Sequence, residues 1–211
     1  MKHLIIVGAG GMGREVYHIA TGCIGYGTEF DIKGFLDYDA HILDAFEGYP
    51  PVIGNDEDYQ IERDDIFISS IGSVNIRKKS AELLKSRGAI FQTLVHKNAN
   101  VCSTAQIGSG CLIQHGASVG ADVQIGENCM IQYNAVLGHD VIVGDYCRLD
   151  CFVMCVGGVK IKDCATIHTS AVLNHKVVVG EGATVGACSF VMRKVKPNTT
   201  VFGVPATEME F

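Results

Sequence analysis

From Val95 onward, large aliphatic residues recur every six positions. Seventeen hexads run to Lys196 without an insertion, and sixteen begin with Val, Ile or Leu; Cys155 is the exception. The fifth position is always Ala, Val, Cys or Ser, and Gly, Asn and Asp gather at positions two to four. A period of six fits neither an amphipathic helix nor an alternating strand over such a length. It fits a coil of short parallel strands joined by tight turns. The aliphatic at position one then points inward and stacks on its copy in the next coil. Position five is inward near a corner, where only a small side chain fits, and the Gly, Asn and Asp positions suit turns. Three hexads make one triangular coil, so residues eighteen apart stack and the run yields between five and six coils.

The preceding residues follow another pattern. Lys2–Val7 is a short apolar strand, and a glycine cluster leads from it into a helix of about ten residues from Arg14. A second strand spans Ile32–Leu36 and ends at Asp37. Residues 39–59 read as irregular and acidic, broken by Pro50-Pro51. Asp65–Ile71 is a buried strand ending at Gly72. Asn75–Ser86 is a helix with Lys and Arg on its outer face, stopped by Gly88. Strand–helix alternation predicts a small parallel sheet. The expected organisation is an α/β half-Rossmann domain at 1–94 and a β-helix with its tail at 95–211. The first part is too short for a six-stranded dinucleotide fold, and half of that fold suits a mononucleotide. A nucleotide-linked substrate is therefore expected rather than a nicotinamide cofactor.

Net charge of −6 argues against general nucleic-acid binding and against a membrane-surface role. No apolar run of about 18 residues is present, so no membrane span is expected. The N-terminus has no signal-peptide cleavage site. Of the nine cysteines, Cys111, Cys129 and Cys147 fall at position five, eighteen apart, as a packing column. Free thiols fit a reducing cytoplasm, the expected location. Cys147, Cys151 and Cys155 match no zinc spacing, and no metal site is expected.

Gly8, Gly10 and Gly13 satisfy G-x-G-x-x-G between strand and helix, a motif that sets backbone N–H groups and a helix N-terminus against phosphate. A tight turn that binds nothing is the other reading. Asp37 can accept hydrogen bonds from a ribose or base, or simply be solvated. His115, His139 and His175 occupy third hexad positions and His168 a second. For His115 and His168 an exposed or subunit-contact role is the simpler expectation. His139 differs because Asp140 follows it. A neutral imidazole can take a proton from an amine or hydroxyl, and a nearby carboxylate can orient the ring.

Three stretches together carry a resemblance: Gly-Ala-Gly-Gly-x-Gly within Ile5–Val16, F-I-S-S-I-G-S-V-N-I-R-K-K at Phe67–Lys79, and the hexads with Gly138-His139-Asp140 and the closing Gly203-Val204-Pro205-Ala206. The chain resembles the NeuD-like sugar acyltransferases, including the PglD-type UDP-4-amino-sugar N-acetyltransferases, over essentially its whole length. The resemblance implies a left-handed β-helix, against the usual crossover hand. It also implies a homotrimer with active sites between neighbouring β-helices, acetyl-CoA as co-substrate, and a nucleotide sugar held by the N-terminal domain. His139 would be the general base, with Asp140 beside it. Gly157, Thr169 and Ala187 fall where relatives contact acetyl-CoA, and a small residue at 157 leaves room for the pantetheine arm. Gly8, Gly10 and Gly11 would approach phosphate, with Asp37 near the nucleoside and Gly72 also at the substrate. Two departures stand out. Met12 takes the place of a histidine usual in relatives, and Arg148 that of a second histidine. Arg148 is then open to a CoA phosphate or a carboxylated acceptor.

The expected activity is acetyl transfer from acetyl-CoA to a nucleotide-linked amino sugar, UDP-linked by resemblance, through direct attack. The rivals are O-acetylation of sialic acid or a related sugar, a non-catalytic nucleotide-binding β-helix scaffold, and zinc-dependent hydration.

Overall fold

The structure is a computed structural model that describes residues 1–209. Glu210 and Phe211, the last two residues of the expected 95–211 domain, lie outside the described residues. The chain divides into two compact units, one ending at Lys97 and the other beginning at Asn98. The first therefore extends slightly past the start of the hexad pattern.

The first unit holds β1 (Lys2–Val7), α1 (Gly11–Thr21), β2 (Phe30–Leu36), β3 (Val52–Gly54), β4 (Asp65–Ser69) and α2 (Val74–Ser86). The strands form one parallel sheet in the order β3-β2-β1-β4. Central β1 is apolar because its Leu4, Ile5 and Ile6 are fully buried, as a strand covered on both faces requires. The strand β3 lies inside the stretch expected to be irregular. Three residues after Pro50-Pro51 are too few to show a period. A Cβ on Gly34 would stand 2.7 Å from the Pro51 carbonyl oxygen, so the missing side chain in β2 lets this short strand approach. The helix α2 also departs from expectation. Arg77, placed on its outer face with the lysines, is 1% exposed, and its Nη1–H donates to the Ile71 carbonyl at 2.9 Å and to that of Gly72 at 3.4 Å.

The second unit is a parallel β-helix. Each hexad contributes a two-residue strand ending at its first position, as in Met130–Ile131, Val136–Leu137 and Ile142–Val143. Three faces result, and strands on a face pair eighteen residues apart: Ile131 sits between Ile113 and Leu149. The final coil breaks the interval, since Thr184 pairs with Thr200, and Thr200–Gly203 then turns back antiparallel with Ala206–Glu208. Positions one and five are inward as expected. Ile113, Ile131, Leu149 and Ile167 are fully buried, as are Ala117, Ala135 and Cys147. Burying one such aliphatic side chain stabilises by about 2 kcal/mol. The fourth position of the hexads from Gly110 to Cys188 takes a left-handed backbone, with φ of 55° at Asn134, 60° at Asp140 and 60° at Ser170. No helix among the described residues is long and apolar enough to cross a membrane.

Candidate active site

The glycine loop joins β1 to α1. Gly8 has φ of 100°, a conformation that favours glycine. A Cβ on Gly13 would overlap the Gly8 carbonyl, so this glycine lets helix and loop pack. Gly10 and Gly11 are different: a Cβ on either would meet nothing within 4 Å, and neither has a positive φ. Internal packing does not demand glycine at these two positions, and their backbone is open to a ligand. Asp37, at the end of β2, accepts the Ala9 N–H on Oδ2 at 2.8 Å and the Asp39 N–H on Oδ1 at 3.1 Å. It braces the loop expected to hold phosphate. Ser70, which sequence reasoning did not single out, donates from Oγ to the Val7 and Gly8 carbonyls at 2.9 and 2.8 Å.

A cavity of about 140 Å³ opens beside the loop, lined by Val7, Gly8, Leu36, Asp37, Ile71 and Ile76 together with Tyr38 and Asp56. Its apolar walls and carboxylate edges suit a flat heterocycle with N–H or O–H donors. Tyr38 donates to Asp56 Oδ1 at 2.5 Å, and that carboxylate pushes the phenol above its usual range. Gly72 follows β4, with its carbonyl held by Arg77 as above. Asp37 and Gly8 thus share one cavity wall, while Gly10, Gly11 and Gly72 are not among its lining residues.

In the β-helix, the turn after Val136–Leu137 carries His139 and Asp140. The coils on either side fix it. The Asp140 N–H donates to the Ala121 carbonyl at 3.0 Å, and the His139 carbonyl accepts from Gly158 N–H at 2.9 Å. The left-handed step at Asp140 lets neighbouring side chains meet: His139 Nδ1–H donates to Asp140 Oδ2 at 2.7 Å. Both side chains are about two-thirds exposed, at 67% and 65%. With Nδ1 engaged, Nε2 is the nitrogen left for a substrate. Gly157, one coil further, lies against that ring: a Cβ there would stand 2.5 Å from Nε2 and 2.6 Å from Cε1. Thr169 and Ala187 are exposed third-position residues at another corner of the coil.

His115 is exposed, as expected, and His175 is exposed too. His168 is not simply exposed: Nδ1–H donates to Asp150 Oδ2 at 2.9 Å. Arg148 Nε–H donates to the other oxygen of the same carboxylate at 2.5 Å. Its charge is thus met within the chain, which weakens the reading of Arg148 as a receptor for a CoA phosphate or an acceptor carboxylate. Asp150 and His168 stand eighteen apart in one second-position column, which is the signal that could have paired them, but the stack alone does not single them out from other polar corner residues. Among the described residues no three His, Cys, Asp or Glu side chains gather as a cation would require. Burial pushes the Cys155 thiol up to about 12 and raises that of Cys129, so neither is a nucleophile near neutral pH.

Residues 3–84 match the PglD N-terminal domain, and residues 122–155 match the bacterial transferase hexapeptide (six repeats). No curated protein matches. Solved structures superpose over nearly the whole chain. The acetyltransferase domain of PglB from Neisseria gonorrhoeae, in complex with acetyl coenzyme A, is 26% identical; the match covers 99% of each chain with a TM-score of 0.89. PerB from Caulobacter crescentus, in complex with CoA and GDP-perosamine, is 25% identical, covering 100% of this chain and 98% of that one with a TM-score of 0.90. WeeI from Acinetobacter baumannii, at 24% identity and a TM-score of 0.85 over 99% of this chain and 100% of its own, shares the fold. The fold and the two matches define a hexapeptide-repeat acyltransferase. More particularly, its order of domains, a PglD N-terminal domain ahead of the β-helix, is similar to that of the PglD type.

Proposed function

We propose that this protein transfers the acetyl group of acetyl-CoA to the amine of a nucleotide-linked amino sugar. The reading draws on PglB bound to acetyl coenzyme A and PerB bound to CoA and GDP-perosamine. The single observation that supports it most is His139: Asp140 holds Nδ1 at 2.7 Å, and Gly157 sets no side chain against Nε2.

The amine lone pair attacks the thioester carbonyl carbon, the C–S bond breaks, and His139 Nε2 takes a proton from the nitrogen. Asp140 keeps the proton-bearing face of the ring on Nδ1 and stabilises the imidazolium. Gly157, Thr169 and Ala187 line the acetyl-CoA. Gly8, Gly10, Gly11 and Gly72 approach the nucleotide sugar. The nucleoside occupies the cavity at Asp37, with UDP the nucleotide that the family resemblance implies. The working assembly is the homotrimer that the family resemblance implies.

The test is CoA release from acetyl-CoA with UDP- and GDP-linked amino sugars and free sialic acid, using wild type and His139→Ala. Release with one nucleotide-linked amino sugar, cut on the order of 100- to 10,000-fold in the variant, supports the reading. Release with sialic acid alone would replace it with O-acetylation. Full turnover by His139→Ala would remove His139 as the base.

A further inference from the structure

The cavity beside the glycine loop offers acceptors and no cation. Asp37, Tyr38 and Asp56 supply its only polar side chains, and no lining residue is Lys, Arg or His. Leu36, Ile71 and Ile76 give it an apolar wall. Asp37 is engaged by the fold, since the N–H groups of Ala9 and Asp39 take one oxygen each. Asp56 is different. It is 8% exposed, and its carboxylate meets one partner among the described residues, the Tyr38 hydroxyl, which donates to Oδ1 at 2.5 Å. A buried carboxylate is ordinarily paired with a cation or held by several hydrogen bonds. This one keeps acceptor capacity on both oxygens.

The chain fixes the backbone that carries Asp56. The short strand β3 pairs Gly54 with Leu36, and the Asp37 N–H donates to the Gly54 carbonyl at 2.9 Å. The loop after β3 is thereby tied beside the end of β2. Asn55 Oδ1 accepts the N–H groups of Glu57 and Asp58, both at 2.9 Å, and closes a turn around Asp56. Arg87, just past α2, donates from Nη1 to the Asp56 carbonyl at 2.6 Å and from Nη2 to the Tyr59 carbonyl at 2.7 Å. A cavity with acceptors and no free side-chain donor reads a base by the donors on its edge. Of the common bases, guanine alone sets two donors side by side, N1–H and the N2 amine, at the spacing of two carboxylate oxygens. Uracil has one N–H between two carbonyl oxygens, which a carboxylate repels. Adenine and cytosine set the amine beside a ring-nitrogen lone pair, with the same result.

We propose that Asp56 is the base-selecting residue of this cavity and that the base is guanine, against the uracil that the family resemblance implies. The two Asp56 oxygens accept N1–H and one N2–H of the base, whose faces lie against the apolar wall. Tyr38 is a positioning residue: its hydroxyl stays on Oδ1 and fixes the plane of the carboxylate. The proposal rests on the reading that a nucleoside occupies this cavity.

The experiment is calorimetric titration of the full-length protein with the diphosphates of guanosine, inosine, xanthosine and uridine, on wild type, Asp56→Asn and Tyr38→Phe. Wild type is expected to bind GDP on the order of 10- to 100-fold tighter than UDP. The inosine nucleotide keeps N1–H and lacks the amine, and should bind about tenfold more weakly than GDP. Xanthine carries a carbonyl where guanine has the amine. Asp56→Asn offers one acceptor and one N–H donor, so it should bind the xanthosine nucleotide about tenfold tighter than GDP, the reverse of wild type. A reversed preference also shows that the variant is folded. Tyr38→Phe should still bind GDP, with its preference over UDP narrowed several-fold. Equal affinity of wild type for GDP and UDP would overturn base selection and leave the acetyl-transfer reading in place. So would an Asp56→Asn that weakens every nucleotide equally, as a carboxylate on the ribose requires. Binding of none of the four by wild type would overturn the nucleotide-linked substrate itself, and base selection with it.

Discussion

Gly157 lies against Nε2 of His139, close enough that a Cβ would stand 2.5 Å from it. The glycine has no positive φ to explain it. Its lack of a side chain is what leaves room for that nitrogen. Gly157→Ala should therefore leave the β-helix folded and lower kcat by on the order of 100-fold, as small displacements of a reacting group do. Circular dichroism and CoA-release kinetics check the two halves. Unchanged kcat would show that the ring tolerates the methyl group.

Asp37 braces the glycine loop through the Ala9 N–H at 2.8 Å, and Ala9 is fully buried. Asp37→Ala strands that donor, which costs about 1–3 kcal/mol. Nucleotide-sugar affinity should fall with it, measured by calorimetric titration. Asp37→Asn keeps an acceptor oxygen and should recover most of the stability. Affinity lost in Asp37→Asn with stability retained would show that the carboxylate touches the nucleoside directly.

Asp65 sets the acid response of the first unit. Burial pushes its carboxyl up, but Lys33 at 2.9 Å, the Glu62 N–H at 2.8 Å and Tyr59 at 2.8 Å together hold it below the usual carboxylate range. The native state thus binds this proton less readily than the unfolded chain. Its stabilisation is present above the unfolded value and disappears as pH falls through the native one, below about pH 4. Asp65→Asn should cost on the order of 3 kcal/mol at neutral pH and flatten the acid limb. Far-UV circular dichroism in urea follows this, since the chain has no tryptophan.

Thiol labelling separates packing from reactivity. Cys23 and Cys155 are both pushed up to about 12 by burial, while Cys188 is exposed. Iodoacetamide at pH 8 should modify Cys188 first and leave Cys23, Cys129 and Cys155 intact in the native protein, read by peptide mass spectrometry. Early modification of Cys155 would reopen an acyl-enzyme route.

Much of this architecture was legible residue by residue. Ile113, Ile131 and Leu149 announce their own stacking, because a solenoid repeats one local solution and its period is printed along the chain. His139 stood out because its carboxylate partner is the next residue, and a turn that forces Asp140 to φ of 60° is enough to bring them together. The β3 strand was not legible: three residues carry no period, and their partner is a gap left by Gly34. Arg77 looked like a solvated helix residue because the carbonyls that receive it belong to the loop before the helix.

The sequence by itself determined the β-helix, the small parallel sheet ahead of it, and the His139–Asp140 pair, since each depends on spacing within a few residues or on an unbroken repeat. Only the tertiary structure decided that Gly157 faces a histidine ring, that Asp37 ties down the loop of Gly8 and Gly10, and that Arg148 and His168 share one buried carboxylate. Asp37 and Ala9 stand 28 residues apart with no period between them; Gly157–His139 and Asp150–His168 obey the eighteen-residue stack, but side-chain reach and hydrogen-bond direction decide that these stacked neighbours touch.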